Sequence, residues 1–220
     1  MTEARQRNIK ITVLSLTVFM VLVLGLFVNK ILQPRVLSDK EMVNSGAIMF
    51  QTPREISPLQ LIDKTGAPFN GKQLLGQWTL VFFGFTHCPD ICPATLAIFN
   101  ELSVELADSH FVDDTQFMLV SLDPERDTPE KLNTYVNYFN PNFLAVTGEF
   151  INIHRFATQL NVAFQKVMLG DGSDADNYTV DHSGNVALIN PRGYYHGFFK
   201  PPFDTAKLAL TYRSERMKND

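Results

Sequence analysis

Two cysteines stand in this chain, Cys88 and Cys92, and they sit four apart in Gly84-Phe85-Thr86-His87-Cys88-Pro89-Asp90-Ile91-Cys92-Pro93. Two thiols this close can form a disulfide with each other or hold a soft metal ion between them. The apolar run Thr79 to Phe85 reads as a buried strand, and helical spacing follows from Pro89 to about Leu106. The pair therefore falls at a strand-to-helix turn. A proline suits the first helical position, so Pro89 is expected to open the helix. A thiol at a helix N-terminus is stabilised as thiolate by exposed N–H groups. The thiolate is both the nucleophile and the metal-binding form. As a plain staple the pair is weak, because so short a loop restricts little of the unfolded chain. Thioredoxin-type redox centres use C-x-x-C. The extra residue here still permits a disulfide but widens the bite for an ion.

Two thiolates need a third donor to make a stable cuprous site, and imidazole suits Cu(I) as thiolate does. Five histidines are present. His87 adjoins Cys88 and is expected to point away from Cys92. His110 and His154 fall in or at the ends of helices, and His196 falls in a terminal hairpin. His182 differs: it lies in the polar loop Val180-Asp181-His182-Ser183-Gly184-Asn185, directly before the apolar strand Val186 to Ile189. Loops at strand ends of an α/β sheet converge on one edge.

Three blocks, GFTHCPDICP at 84–93, SLDPERDTP at 121–129 and VDHSGNVALINPRG at 180–193, resemble the Sco/SenC family of membrane-anchored, thioredoxin-like copper proteins that serve cytochrome c oxidase assembly. The resemblance runs from about residue 55 to 215. It implies a thioredoxin-like fold and a copper site, for Cu(I) or Cu(II), made of Cys88, Cys92 and His182. It also implies two partners, the copper-binding subunit of a cytochrome c oxidase and an upstream copper donor. A thiol-disulfide reductase that keeps an oxidase subunit's cysteines reduced is the alternative, with Cys88 attacking and Cys92 resolving. Thioredoxin-type enzymes place a cis-proline opposite their cysteines. No proline occurs from Tyr178 through Asn190, and a histidine sits there instead.

Other donors are weaker candidates. Asp123 to Asp127 reads as a solvated turn with a helix cap that also shapes the site, and Asp90 as a supporting or docking residue. Carboxylates match Cu(I) poorly. Asp171, Asp174 and Asp176 miss the spacing of a calcium loop. Met118 and Met168 fall in apolar strands and are expected in the core, as are most of the eighteen phenylalanines.

The elements that must position these residues alternate. Leu59 to Ile62, Phe117 to Leu122 and Phe143 to Val146 read as strands. Thr128 to Phe139, capped by Thr128 with Pro129 next, and Glu149 to Leu160 read as helices. Val162 to Val167 and Tyr178 to Val180 flank an acidic turn. Val186 to Ile189 and Tyr194 to Phe199 form a hairpin, and Asp204 to Met217 closes as a helix. The class is α/β, a mixed sheet flanked by helices with the last hairpin as an antiparallel edge.

Ahead of this lies Ile11 to Val28, with no charged residue. As a helix it spans ~27 Å, close to a bilayer's hydrocarbon core. A cleaved signal peptide is the competing reading, but no small-x-small site follows in Asn29-Lys30-Ile31-Leu32-Gln33. The expected organisation is a tail and transmembrane anchor over 1–30, a tether over 31–54 and a copper-binding domain over 55–217. Basic residues flank both ends of the span and bias it weakly. The expected orientation is N-terminus in and domain out. Little room precedes the span for a mitochondrial transit peptide, which points to a bacterial inner membrane and a periplasmic domain. A formal net charge of -4 gives no basis for nucleic-acid binding.

Overall fold

The computed structural model describes residues 3–32, 35–107, 110–170, 174 and 177–219. It divides into two compact units, 1–36 and 37–220. The first holds helix α1 (Glu3–Leu32), in which the stretch Gln6–Ile31 is long and apolar enough to cross a membrane.

The second unit is built on β4 (Trp78–Gly84), whose seven residues are all buried. A run that is apolar but for Thr79 suits a strand covered on both faces. Two crossovers follow it. Helix α3 (Ile91–Leu106) leads to β5 (Thr115–Ser121), and α4 (Pro129–Phe139) leads to β6 (Leu144–Thr147). Both new strands lie parallel to β4. Antiparallel strands complete the layer. Among the described residues the order is β1 (Ala47–Glu55), β10 (Tyr194–Phe199), β9 (Val186–Ile189), β4, β5, β6, β2 (Leu61–Asp63), β3 (Pro68–Phe69). β7 (Phe164–Met168) and β8 (Tyr178–His182) pair only with each other. Helix α5 (Phe150–Gln159) packs Phe156 on Phe83 of β4, and α6 (Thr205–Asn219) packs on α3.

The caps read from the sequence hold. Thr128 accepts from the Lys131 N–H with Pro129 at the start of α4, and Asp204 accepts from the Lys207 N–H at 2.9 Å.

Three expectations are corrected. Helix α3 begins at Ile91, with Asp90 rather than Cys88 as its flanking residue, so Pro89 lies outside the helix. A residue before proline is pushed out of the helical region, which keeps Cys88 in the turn. The stretch read as a tether is folded from Leu37 onward. It contains the short helix α2 (Asp39–Asn44) and β1, with Leu37, Met42 and Ala47 buried. As a result the β9–β10 hairpin is not the sheet edge, because β1 covers β10. The register shifts between Met49 and Arg54, and that bulge on an edge strand accommodates Pro53. Gly197 of β10 makes the approach possible, since a Cβ there would overlap the Ile48 carbonyl oxygen.

Candidate metal centre

The C-terminal end of β4 delivers the chain to the site. Gly84 closes the strand, and a Cβ there would meet Cys92 Sγ at 2.8 Å and Phe82 at 2.9 Å. Only glycine leaves room for the buried sulfur. Cys88 is half-buried in the turn and Cys92 is buried in the first turn of α3; both are free thiols. The Cys92 N–H donates to Cys88 Sγ at 3.4 Å. The sulfur thus caps an amide that the helix itself leaves unpaired.

His182 ends β8 and faces the pair. Its Nε2 lies 3.8 Å from Cys92 Sγ, and its ring packs edge-on to Phe82 and Phe85. The other ring nitrogen, Nδ1, is 3.1 Å from the Ser183 carbonyl oxygen. A carbonyl can only accept, so the proton sits on Nδ1 and the Nε2 lone pair is free toward the sulfurs. The three donor atoms all lie within 4.8 Å of one another.

The two thiols share one proton unequally. Cys88 is pulled down to about 4, chiefly because the Cys92 S–H donates to it. The backbone N–H groups of Asp90 and Cys92 add to this, against the cost of burial. Cys92 is pushed up, because its proton is held by Cys88 and because it is buried. At neutral pH the pair is therefore a thiolate at Cys88 and a thiol at Cys92.

The segment after β5 holds the turn in place. Asp127 is buried. It accepts from the Thr86 N–H at 3.0 Å, the Thr86 hydroxyl at 2.5 Å and the Ser121 hydroxyl at 2.6 Å. Asp123, also buried, accepts from Tyr178 and Arg126. This corrects the reading of 123–127 as a solvated turn. The sequence offered one signal for it, two aspartates four apart directly after a buried strand. His87 with Asp123 and Asp127 forms a second compact group. Its carboxylate oxygens already serve these partners, and hard oxygens suit a soft ion poorly.

The remaining candidates are dispersed. His87 is exposed, 3.9 Å from Asp127, and groups with the two aspartates rather than with the sulfurs and His182. His154 is exposed on α5 beside Phe150 and Phe164. His196 is buried against Glu215 at 2.7 Å. His110 opens a short 3-10 turn, with its side chain outside the described residues. Asp90 is exposed, and Asp174 is exposed too; Asp171 and Asp176 lie outside the described residues. Met118 is buried as expected, but Met168 is 42% exposed, because β7 belongs to the separate two-stranded sheet.

A mixed sheet with a dithiol turn at the end of a central strand, faced by an imidazole, defines a thioredoxin-like protein with a soft-metal donor set. The chain belongs to the SCO1/SenC family, whose model matches residues 49–215. It is 35% identical over 175 residues to a putative copper-binding protein of Stutzerimonas stutzeri, covering 77% of this chain and 81% of that one. Among solved structures it is similar to Arabidopsis thaliana ScoI with copper bound, at 30% identity and a TM-score of 0.67, covering 74% of this chain and 98% of that one. Bradyrhizobium japonicum ScoI with copper bound matches at 31% identity and a TM-score of 0.63, with the same coverage of both chains.

Proposed function

We propose that this chain binds one copper ion through Cys88, Cys92 and His182 and delivers it to the copper-binding subunit of a cytochrome c oxidase. A separate donor protein supplies the ion. Residues 11–28 tether the chain to a bacterial inner membrane, with the domain on the periplasmic side. The carrying observation is the convergence of two sulfurs and the His182 imidazole nitrogen within 4.8 Å. Thiolate and imidazole are the donors Cu(I) prefers. The relatives that bind copper, and the length and apolar character of Gln6–Ile31, support the reading.

The test is an anaerobic titration of the reduced full chain in detergent with buffered Cu(I). A 1:1 complex is expected. Cys88 is already a thiolate at pH 7 and Cys92 is not, so loading displaces the Cys92 proton. The apparent affinity then rises about tenfold per pH unit between about pH 7 and 9. His182→Ala is expected to bind at least about tenfold more weakly. Unchanged affinity in that variant removes His182 from the ligand set, and no uptake by the wild type removes the copper reading.

The unequal thiols also favour the second reading, a thiol-disulfide reductase. The Cys88 thiolate attacks a target disulfide, forming a mixed disulfide and releasing one target thiolate. Cys92, once deprotonated, attacks Cys88 and releases the second. The target is reduced by two electrons and the Cys88–Cys92 pair is oxidised. Activity in cells that survives His182→Ala but not Cys88→Ser or Cys92→Ser favours this role. Failure of the reduced chain to exchange with oxidised dithiol peptides argues against it.

A further inference from the structure

His182 reaches the sulfurs from a hairpin, β7–β8, whose strands, among the described residues, pair only with each other. Something else must hold the imidazole in place. Four residues before His182, on the same face of β8, Tyr178 is buried with its ring between two cations. The Arg126 guanidinium and the Lys166 ammonium each lie 3.7 Å from the ring centroid. Its hydroxyl donates to Asp123 Oδ1 at 2.7 Å, and its carbonyl oxygen accepts from Arg126 at 3.1 Å. Asp123 takes the Arg126 Nε–H on its other oxygen. Lys166 is tied to Glu125 at 2.8 Å. Among the described residues, the hydrogen-bond and cation partners of Tyr178 thus belong to residues 123–126 or to the hairpin itself. The same short segment continues to Asp127, which grips the cysteine turn through Thr86.

We infer that Tyr178 is the positioning residue for His182: its clasp by Asp123, Arg126 and Lys166 fixes the hairpin to the segment that also holds the cysteine turn. One stretch of five residues, 123–127, then sets the distance between imidazole and sulfurs from both sides. Burial and the adjacent Asp123 carboxylate keep the Tyr178 phenol protonated, so it remains a donor. The proposal rests on the Cys88, Cys92 and His182 reading of the site for its consequence, but not for its geometry.

The test uses the reduced, metal-free full chain in detergent as wild type, Tyr178→Phe and Lys166→Met. The first variant removes the hydroxyl. The second removes one cation from a partly exposed side chain and leaves the core intact. Diethyl pyrocarbonate reports imidazole accessibility, with adducts located by mass spectrometry, and iodoacetamide reports Cys88 in the same samples. Modification of His182 is expected to quicken by about tenfold in Tyr178→Phe, the factor carried by one hydrogen bond to a buried charged group. A smaller rise is expected in Lys166→Met, with Cys88 and the already exposed His87 unchanged. An unchanged His182 rate in both variants overturns the proposal. So does a rise shared by every histidine, which marks loss of fold rather than positioning.

Copper affinity of the same variants separates this proposal from the reading beneath it. If Tyr178→Phe and His182→Ala each weaken binding, and the two combined bind no more weakly than His182→Ala alone, the two residues act as one unit and both proposals stand. Independent, additive losses overturn the clasp. Faster His182 modification with undiminished copper affinity upholds the clasp and removes His182 as a ligand.

Discussion

Replacing Cys92 with alanine is expected to remove tight copper binding and to return Cys88 to ordinary thiol behaviour. The two effects have separate origins. The first is loss of one of two anionic soft donors, with a cost of roughly 3 kcal/mol or more, a factor of about 100 or more in affinity. The second follows from the hydrogen bond. The Cys92 S–H is the largest influence holding Cys88 at about 4. In the wild type, iodoacetamide should react with Cys88 at a nearly constant rate from neutral pH down to about pH 5, then slow through pH 4. The thiolate is the nucleophile, so a lowered pKa means reactivity kept at low pH. Without Cys92 the midpoint moves up toward the unperturbed value of about 8.5, and the rate at pH 6 falls. Circular dichroism checks that the fold survives. Tight 1:1 copper binding in the variant, or an unmoved alkylation profile, contradicts the assignment.

Asp127→Ala should produce the largest loss among residues that touch no metal donor. The buried carboxylate accepts from three donors, two on Thr86 and one on Ser121. Its removal leaves them without partners in a region where each unsatisfied group costs about 1–3 kcal/mol. Thr86 is only half-buried, so water recovers part of this. A net loss of about 3 kcal/mol is expected, which lowers the thermal midpoint of a domain this size by roughly 6–12 °C. The cysteine turn loses its anchor at the same time, and Cu(I) affinity should fall with stability. Asp127→Asn keeps an acceptor oxygen and should fall between the two. A midpoint and copper affinity both equal to wild type would show that the turn is held by other contacts.

The thiol half of the site was legible because it is local: Cys88 and Cys92 share a turn. His182, 90 residues beyond Cys92, was carried by the family resemblance, and the polar loop read around it is the end of strand β8. The buried strand Trp78–Gly84 announces itself by composition. What escaped was set by contacts distant in sequence. The pairing of β1 with β10 depends on the missing side chain of Gly197 and on a bulge that tolerates Pro53, and neither is visible in the local polarity of residues 47–55. Asp123 and Asp127 look like turn residues meant for water. Their burial follows from Tyr178 and Thr86 closing over them. Met168 has the apolar character of a core residue, yet its strand stands outside the main sheet and leaves it exposed. Pro89 favours a helix start in isolation, but its restriction on Cys88 moves the first turn two residues on.

The two sulfurs also differ in reach. Cys92 has no exposed surface, whereas Cys88 stands half-open at the rim. In the proposed copper-loaded state an incoming donor atom from another protein reaches the ion from the Cys88 side, because Gly84 packs against the buried Cys92 sulfur on the other. The proposed exchange of cargo is therefore ordered. In the proposed handover the rim ligand gives way first and the bond to the interior sulfur breaks last, and arrival by the same route retraces these steps in reverse. Such a sequence would keep the ion attached to one protein or the other throughout, with no moment at which it is loose in solution.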